Sequence, residues 1–214
     1  MSTSALTPRT VLVDAAWRPA TGSFASIGQA IIQMVAGVAV VALLARVDIP
    51  MWPVPITGQT LGVLLVGATL GARRGGGALF VYMLAGLAGL PVFAGGGAGP
   101  AAFFSPSFGY IVGFIPAAAL IGYLCERHWD RHPIRSVAGF GLASLIPFLI
   151  GVPWLGAVLA SLGQPHDLPT LMALGVTPFL VGGVVKWAIA AATLPAAWRL
   201  LGRPTRSPGK TLDR

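Results

Sequence analysis

The sequence predicts an all-α integral membrane protein with six transmembrane helices, and three observations carry that prediction. Only 9% of the 214 residues are charged, whereas 55% are hydrophobic. The mean hydropathy is +0.80, and no charged side chain occurs between Gly75 and Cys125. A water-soluble domain needs far more polar surface than this. The apolar regions are long enough to cross hydrocarbon, which takes about 20 helical residues, or somewhat fewer in short or broken segments.

The N-terminal third of the chain predicts a tail and two spans. Residues 1–25 carry Arg9, Asp14 and Arg18 among small and polar side chains and lack the unbroken apolar segment of a secretory signal, so we expect a mobile cytoplasmic tail. The first span is expected over residues 27–45, after Ser26, a residue type that caps helices. The second is expected over residues 57–72, after an entry that contains three prolines.

The uncharged middle region predicts two more spans. It is too long for one helix, and its Pro and Gly residues cluster between Pro91 and Pro106. Since these residues interrupt helices, we expect a third span over residues 76–90 and a fourth over residues 108–124. The loop between them has no charge either.

The last third predicts two spans with a short helix between them. The fifth span is expected over residues 136–162, with Pro147 and Pro153 as kinks that membrane helices tolerate. The sixth is expected over residues 177–198. Residues 168–175 are expected to form a short interfacial helix.

The basic residues support this topology independently, because cytoplasmic segments collect Lys and Arg. With six spans, one side of the membrane receives twelve of the fourteen basic residues, and Arg46 alone falls on the other side. The twelve are Arg9, Arg18, Arg73, Arg74, Arg127, Arg131, Arg135, Arg199, Arg203, Arg206, Lys210 and Arg214. We therefore expect both termini in the cytoplasm, on either side of a membrane domain at 26–198. The basic tail at 199–214 is explained by the orientation of the protein in the membrane and does not indicate binding to nucleic acid.

Lys186, the fourteenth basic residue, lies inside the last apolar stretch, which contains no acidic residue. An ionisable residue at membrane depth is costly and marks a functional site with a partner. It lies about 12 Å from the outer end of its span, so we expect an anionic ligand arriving from outside. Gly183 and Phe179 share its helical face, and glycine there leaves room for a ligand. In the alternative interpretation, Lys186 reaches outward to the membrane interface and binds nothing.

Two loops on the predicted outer side supply further candidate contacts. The first reads WPVPITGQT over residues 52–60 and offers the side-chain amide of Gln59 and the hydroxyl of Thr57. The second, over residues 90–110, reads LPVFAGGGAGPAAFFSPSFGY. Its many apolar side chains disfavour exposure to water, and the unpaired polar groups of its irregular backbone disfavour exposure to lipid. We therefore expect the loop to cap or line a cavity.

Four motifs in these regions resemble a known family. They are VPITGQT at 54–60, GLPVFAGG at 89–96, Pro-x-x-Gly-Tyr at 106–110 and PFLxGxxxK at 178–186. In order and spacing they resemble the BioY family, the biotin-specific substrate-capture subunits of energy-coupling-factor transporters, over about residues 27–198. The resemblance implies six membrane helices and an outward-facing biotin pocket capped by outer loops. It also implies a transmembrane coupling subunit and two cytoplasmic ATPases as partners, with biotin as the transported ligand and no cofactor.

Biotin presents a ureido carbonyl, two N–H donors, an apolar bicyclic body and a valerate carboxylate. Lys186 can pair with the carboxylate or donate to the ureido oxygen, and which end it meets stays open. The candidate ligand-binding residues combine polar groups, aromatic rings and one small residue: Lys186, Gln59, Thr57 and Ser107; Phe93, Tyr110 and Phe179; and Gly183.

The chain departs from the family's pattern at several positions. The family usually carries an acidic residue three positions before the lysine, where this chain has Gly183. Its fourth-span motif usually reads Pro-Thr-Gly-Gly-Tyr, where this chain has Ser107 and Phe108. Small residues in the first span recur every third position, unlike the family's small-xxx-small docking pattern. A capture subunit for a different vitamin therefore stays an alternative.

Enzymatic chemistry is not expected. His128, His132 and His166 lie in predicted loops, and no residues have metal-binding spacing. The sequence Gly209-Lys210-Thr211 imitates the end of a phosphate-binding loop, but Pro204 stands where that motif requires glycine. Two other membrane functions stay open, a self-sufficient secondary transporter and an assembly protein in which Lys186 binds a partner helix.

Overall fold

The computed structural model describes residues 11–17 and 20–201, and these residues are mostly helical. The helices are α1 (Leu12–Ala16), α2 (Ser23–Leu44), α3 (Gln59–Leu70), α4 (Ala72–Leu87), α5 (Phe108–Glu126), α6 (Pro133–Ser161), α7 (Leu168–Gly175) and α8 (Thr177–Leu201). Strands β1 (Asp48–Ile49) and β2 (Ile56–Thr57) pair antiparallel in the loop between α2 and α3, with Asp48 opposite Thr57. Short 3₁₀ helices cover Ala94–Gly96, Pro100–Phe104 and Trp129–Arg131.

Helices lie at all six predicted span positions and at the predicted short helix. Four of them, α2, α5, α6 and α8, are long and apolar enough to cross a membrane by length and composition. Helices α3 and α4 are shorter, with 12 and 16 residues. Apolar helices of this kind identify a membrane protein. Helix α6 runs unbroken through both Pro147 and Pro153.

The connection between α3 and α4 differs from the predicted loop. Gly71 alone joins the two helices, and Arg73 and Arg74 already belong to the first turn of α4. Gly71 has a φ of 85°, a left-handed conformation that glycine adopts without steric cost. The Glu126 carboxylate accepts the Ala72 N–H at 2.8 Å, which satisfies one of the free donors at the start of α4.

Glycines let α3, α4 and α5 approach one another closely. A Cβ atom at Gly67 would lie 2.4 Å from the Ala118 carbonyl oxygen of α5, and one at Gly75 would lie 2.8 Å from the Gly67 Cα. A Cβ atom at Gly122 would lie 2.4 Å from the Gly71 carbonyl carbon. Small residues drive helix packing in membranes because lipid supplies no hydrophobic force between helices. These three helices therefore form the tight centre of the bundle.

Part of the predicted N-terminal tail is folded. Residues 12–16 form α1, and the preceding Val11 is 1% exposed. Asp14 forms a two-pronged ion pair with Arg74, with both N···O distances at 2.8 Å. Arg74 also donates to the Gln33 side-chain oxygen at 2.8 Å. In the structure this segment is folded, held by a bidentate ion pair and a buried valine, whereas the sequence suggested a mobile tail. Residues 1–10, 18 and 19 lie outside the described part.

Contacts between distant segments define two ends of the bundle. At one end, here called the basic end, the start of α4 meets Glu126, and Asp130 meets Trp198 near the end of α8. The exposed or half-exposed arginines of this end are Arg73, Arg74, Arg127, Arg131, Arg135 and Arg199. At the other end, here called the cavity end, Arg46 donates to the Pro91 carbonyl. The predicted segregation of basic residues thus corresponds to two ends of one bundle; the basic residues before residue 11, Arg18 and those after residue 201 lie outside the described residues.

Candidate functional site

A cavity of about 540 Å³ opens at the cavity end, between α3, α5, α6, α8 and the loops that precede α3 and α5. All eight predicted ligand-binding residues line it: Thr57, Gln59, Phe93, Ser107, Tyr110, Phe179, Gly183 and Lys186. Its lining is mostly apolar with a few polar groups, which is the usual character of small-molecule sites. Trp52, the first residue of the loop at 52–60, is 61% exposed and lies outside this lining.

Lys186 provides the cation of the cavity. Its side chain is half-buried, and its ammonium donates a hydrogen bond to the Thr57 backbone carbonyl. Among the described residues, the one ion pair is that between Asp14 and Arg74. Lys186 therefore has no carboxylate partner among these residues. The side chain therefore lies inside the protein and does not reach outward to the membrane interface.

Thr57 and Gln59 form a hydrogen-bonded pair at the start of α3. The Thr57 hydroxyl donates to the Gln59 side-chain oxygen at 2.9 Å and accepts the Gln59 backbone N–H at 3.2 Å. The Gln59 amide nitrogen donates to the Tyr82 hydroxyl, which donates to the Val92 carbonyl at 2.8 Å. Tyr82 of α4 therefore fixes the direction of the Gln59 amide and links it to the loop that follows α4.

That loop places Phe93 over the cavity. The Phe93 ring is 4% exposed and packs edge-on against Tyr82, with 5.5 Å between the ring centroids. Gly86 makes room for it, because a Cβ atom there would lie 2.0 Å from the ring. The Gly99 N–H donates to the Gly86 carbonyl at 2.8 Å. The loop is thus packed against α4 and lines the cavity, and it is not a free linker.

Three aromatic side chains from α5, α6 and α8 form another wall of the cavity. The Tyr110 ring lies 6.2 Å from Phe179 and 5.9 Å from Phe148, centroid to centroid. The Tyr110 hydroxyl donates to the Gly175 carbonyl at 2.9 Å, which ties α5 to the end of α7. Because that hydroxyl is engaged, Tyr110 presents its ring to the cavity.

Ser107 contributes a hydroxyl at the start of α5. It lies 3.2 Å from the Ser105 hydroxyl, which donates to the Ala102 carbonyl at 2.7 Å. The Trp154 indole N–H donates to the Ser105 carbonyl at 3.0 Å. Trp154 of α6 thus holds the segment that presents Ser107.

Gly183 lies one helical turn before Lys186 and borders open space. A Cβ atom at Gly183 would meet no other atom within 4 Å. The position therefore has room for a side chain, and its glycine enlarges the cavity beside the ammonium.

The inner part of the cavity is lined by residues that the sequence did not single out. These are Leu64, Gly141, Ser144, Leu145 and Trp187. The Trp187 indole donates to the Val137 carbonyl at 2.6 Å, which fixes the ring against α6. These residues lie on uniformly apolar helices, where periodicity does not distinguish a cavity face from a packed face. Within the described residues, no group of three or more His, Cys, Asp or Glu could hold a metal ion.

The cavity can therefore bind a mostly apolar molecule that carries an anionic or strongly hydrogen-bonding group. Lys186 supplies the charge, and Gln59, Thr57 and Ser107 supply neutral polar groups. The aromatic rings enclose the apolar body of such a ligand.

Comparison with known proteins identifies relatives for most of the chain. The family model described as "BioY family" matches residues 18–203. "Biotin transporter BioY" of Rhizobium etli is 39% identical over 157 residues, which cover 70% of this chain and 80% of that protein. "Biotin transporter BioY2" of Lactococcus lactis is 34% identical over 155 residues, covering 70% and 79%.

A solved structure shares the fold. The crystal structure of the S-component for biotin from an ECF-type ABC transporter superposes with a TM-score of 0.61 at 22% identity. The match covers 84% of this chain and 95% of that one.

Proposed function

The chain belongs to the BioY family, and from this premise we propose that it captures biotin from outside a bacterial cell for import. The family consists of transport proteins, so the chain is a transport subunit and not an enzyme. The observation that carries the proposal is Lys186, a cation without a carboxylate partner among the described residues, inside a cavity with predominantly apolar walls.

The cavity matches the chemistry of biotin. The apolar bicyclic ring packs against Phe93, Tyr110 and Phe179. Lys186 meets an oxygen of the ligand, either in the carboxylate or in the ureido group. A hydrogen bond to a charged group contributes about 1.5–3 kcal/mol, which makes Lys186 the largest polar contribution to binding. The Gln59 side-chain oxygen, held by Thr57 and Tyr82, accepts a ureido N–H.

We propose six membrane crossings with the basic end in the cytoplasm. Helices α3 and α4 complete the count in this proposal, and the arginines of the basic end support its direction. The cavity end then faces outward in the inner membrane of the cell. The segments 1–25 and 199–214 both lie on the cytoplasmic side of the six-helix domain at 26–198.

The energy for import comes from other subunits in this proposal. The solved protein of the same fold belongs to an ECF-type ABC transporter. A transmembrane coupling subunit and two cytoplasmic ATPases would then act with this chain, which needs no ATP to bind its ligand.

Two measurements test the proposal. Labelled biotin should bind the purified protein without ATP, and the absence of binding would refute biotin capture. Uptake should be higher in cells that supply the coupling subunit and ATPases than in cells with the chain alone. Equal uptake in their absence, collapsing with an ionophore, would indicate a secondary transporter.

A further inference from the structure

Helix α8 forms one wall of the cavity with little support behind it. Phe179, Gly183 and Lys186 face the cavity. On the opposite side, Val181 is 78% exposed and Val185 is 53% exposed. The first half of α8 therefore separates the cavity from lipid as a single helix, and its position decides where Lys186 lies.

The second half of α8 contains a break in its hydrogen bonding. Pro195 lies inside the helix and has no N–H to donate to the carbonyl four residues earlier, which belongs to Ala191. The Ser136 hydroxyl of α6 donates to that carbonyl at 3.2 Å. Ser136 is 1% exposed and Ala191 is 6% exposed, so Ser136 replaces a hydrogen bond that water does not reach.

Beyond the break, α8 is held to the short helix at Trp129–Arg131. The Trp198 indole N–H donates to the Asp130 carboxylate, which is fully buried. The Arg131 guanidinium lies 4.2 Å from the centre of the Trp198 ring. The end of α8 is therefore anchored, and the segment before Pro195 takes its direction from the contacts around Ala191 together with the Trp187–Val137 hydrogen bond to α6.

We infer that Ser136 is a positioning residue for Lys186: its hydroxyl joins α8 to α6 at the Pro195 break and so sets the position of the cavity-facing half of α8. Ala191 lies five residues from Lys186, or about 7.5 Å along the helix. A change of helix direction at the break moves the ammonium relative to Thr57 and the ligand. The inference rests on the proposed function for its binding readout, and its geometric readout is independent of biotin.

Substitution of Ser136 and restoration of the helix test this together. Ser136→Ala should weaken biotin binding by about three- to tenfold, the scale of one ordinary hydrogen bond. Pro195→Ala supplies the missing N–H to Ala191, so Ser136→Ala made in that background should bind as tightly as Pro195→Ala alone. Thr193→Val is the control, because among the described residues the exposed Thr193 hydroxyl bonds only the Ile189 carbonyl of its own helix, at 2.6 Å. Unchanged biotin affinity in Ser136→Ala would overturn the inference. So would an equal loss of affinity when Ser136→Ala is made in the wild type and in the Pro195→Ala background.

A distance measurement without ligand separates this inference from the function. Spin labels at Val181→Cys and Leu149→Cys, both exposed positions, report the separation of α8 from α6 in a Cys125→Ala background. Ser136→Ala should broaden that distance distribution, and Thr193→Val should leave it unchanged. An unchanged distribution in Ser136→Ala would overturn the positioning role even if the protein binds biotin. Failure of the wild type to bind biotin would refute the function and leave this distance test standing.

Discussion

The ammonium of Lys186 donates to the backbone carbonyl of Thr57, a residue 129 positions earlier in the chain. The bond joins α8 to the strand residue that immediately precedes the Gly58–Gln59 start of α3. A carbonyl dipole is a weaker partner than a carboxylate, and it occupies one of the three N–H groups of the ammonium. Lys186 therefore keeps donors for a ligand while its side chain is already fixed in direction.

Replacement of Lys186 should weaken biotin binding without unfolding the protein. We expect Lys186→Ala to cost about 1.5–3 kcal/mol of binding free energy, the range for a hydrogen bond to a charged group. Lys186→Met retains length and apolar volume, so it should lose a similar amount. Equilibrium binding of labelled biotin measures both, with helicity as the control for folding. Wild-type affinity in Lys186→Met would rule out the site.

An acidic residue at Gly183 should tighten biotin binding. Gly183→Asp places a carboxylate one helical turn before Lys186, in space where a Cβ meets no other atom within 4 Å. It offers a strong acceptor to the ureido N–H groups, and we expect a gain of up to about tenfold. Gly182→Asp is the matched control, since Gly182 does not line the cavity. Weaker or equal binding in Gly183→Asp would indicate a cavity shaped for another ligand.

Loss of the Tyr82 hydroxyl should affect both stability and binding. Tyr82→Phe leaves the Gln59 amide nitrogen and the Val92 carbonyl without their partner, which costs about 1–3 kcal/mol for buried polar groups. Thermal unfolding in detergent should shift to lower temperature, and biotin binding should weaken because Gln59 loses its fixed direction. Tyr123→Phe, at a 39% exposed ring, should change neither. An unchanged affinity in Tyr82→Phe would contradict the role of Tyr82 in orienting Gln59 for the ligand.

The role of Tyr82 also shows what the sequence could not predict. Helix positions followed from the length of apolar runs and from Pro and Gly, and the eight ligand-binding candidates came together because their motifs lie at the cavity end. The partner of Lys186 was not visible, because a backbone carbonyl has no signature in sequence. Tyr82 and Trp187 lie in uniformly apolar helices, and Ser136 matters only through Pro195, 59 positions away in sequence. The single-residue turn at Gly71 depends on packing between helices that periodicity does not report.

Asp130 should make stability decrease as pH rises. Burial raises the pKa of the Asp130 carboxyl, against the opposing effects of the Trp198 indole, Arg131 and His128. Between about pH 4, where the unfolded carboxyl titrates, and its raised pKa, the folded chain holds a proton that the unfolded chain has released, so stability falls across that window. Asp130→Asn keeps an oxygen for Trp198 and should remove the fall. Unfolding temperatures of both proteins across this range measure the difference, and parallel curves would contradict the prediction.

Asp167 provides a control of opposite sign for that experiment. Hydrogen bonds from Thr170 lower the pKa of the exposed Asp167 carboxyl at the start of α7. The contribution of the ionised Asp167 carboxyl to stability is therefore complete above about pH 4. This contribution is lost as the pH falls through the lowered pKa. Asp167→Asn should remove the loss of stability on this acidic side and leave the pH dependence above about pH 4 unchanged.

Reporter fusions should locate the two ends of the bundle. Fusions after Arg74, within residues 127–135 and after Arg203 should report the cytoplasm. Fusions near Asp48, Gly97 and Asp167 should report the exterior, because the arginines of the basic end orient the helices. An external signal from residues 127–135 would refute the six-span proposal.

The short length of α4 has a consequence for the surrounding bilayer. Sixteen residues extend about 24 Å as a helix, whereas a typical hydrocarbon core is about 30 Å thick. Phe80, Val81 and Leu84 of α4 are 40–49% exposed, so in the proposed topology this short helix faces acyl chains. Hydrophobic mismatch of this kind thins the adjacent leaflet or tilts the protein, at a cost of fractions of a kcal/mol per Å. Acyl-chain length thereby becomes a determinant of how the whole subunit sits in its membrane, and bilayers with shorter chains hold α4 with less distortion.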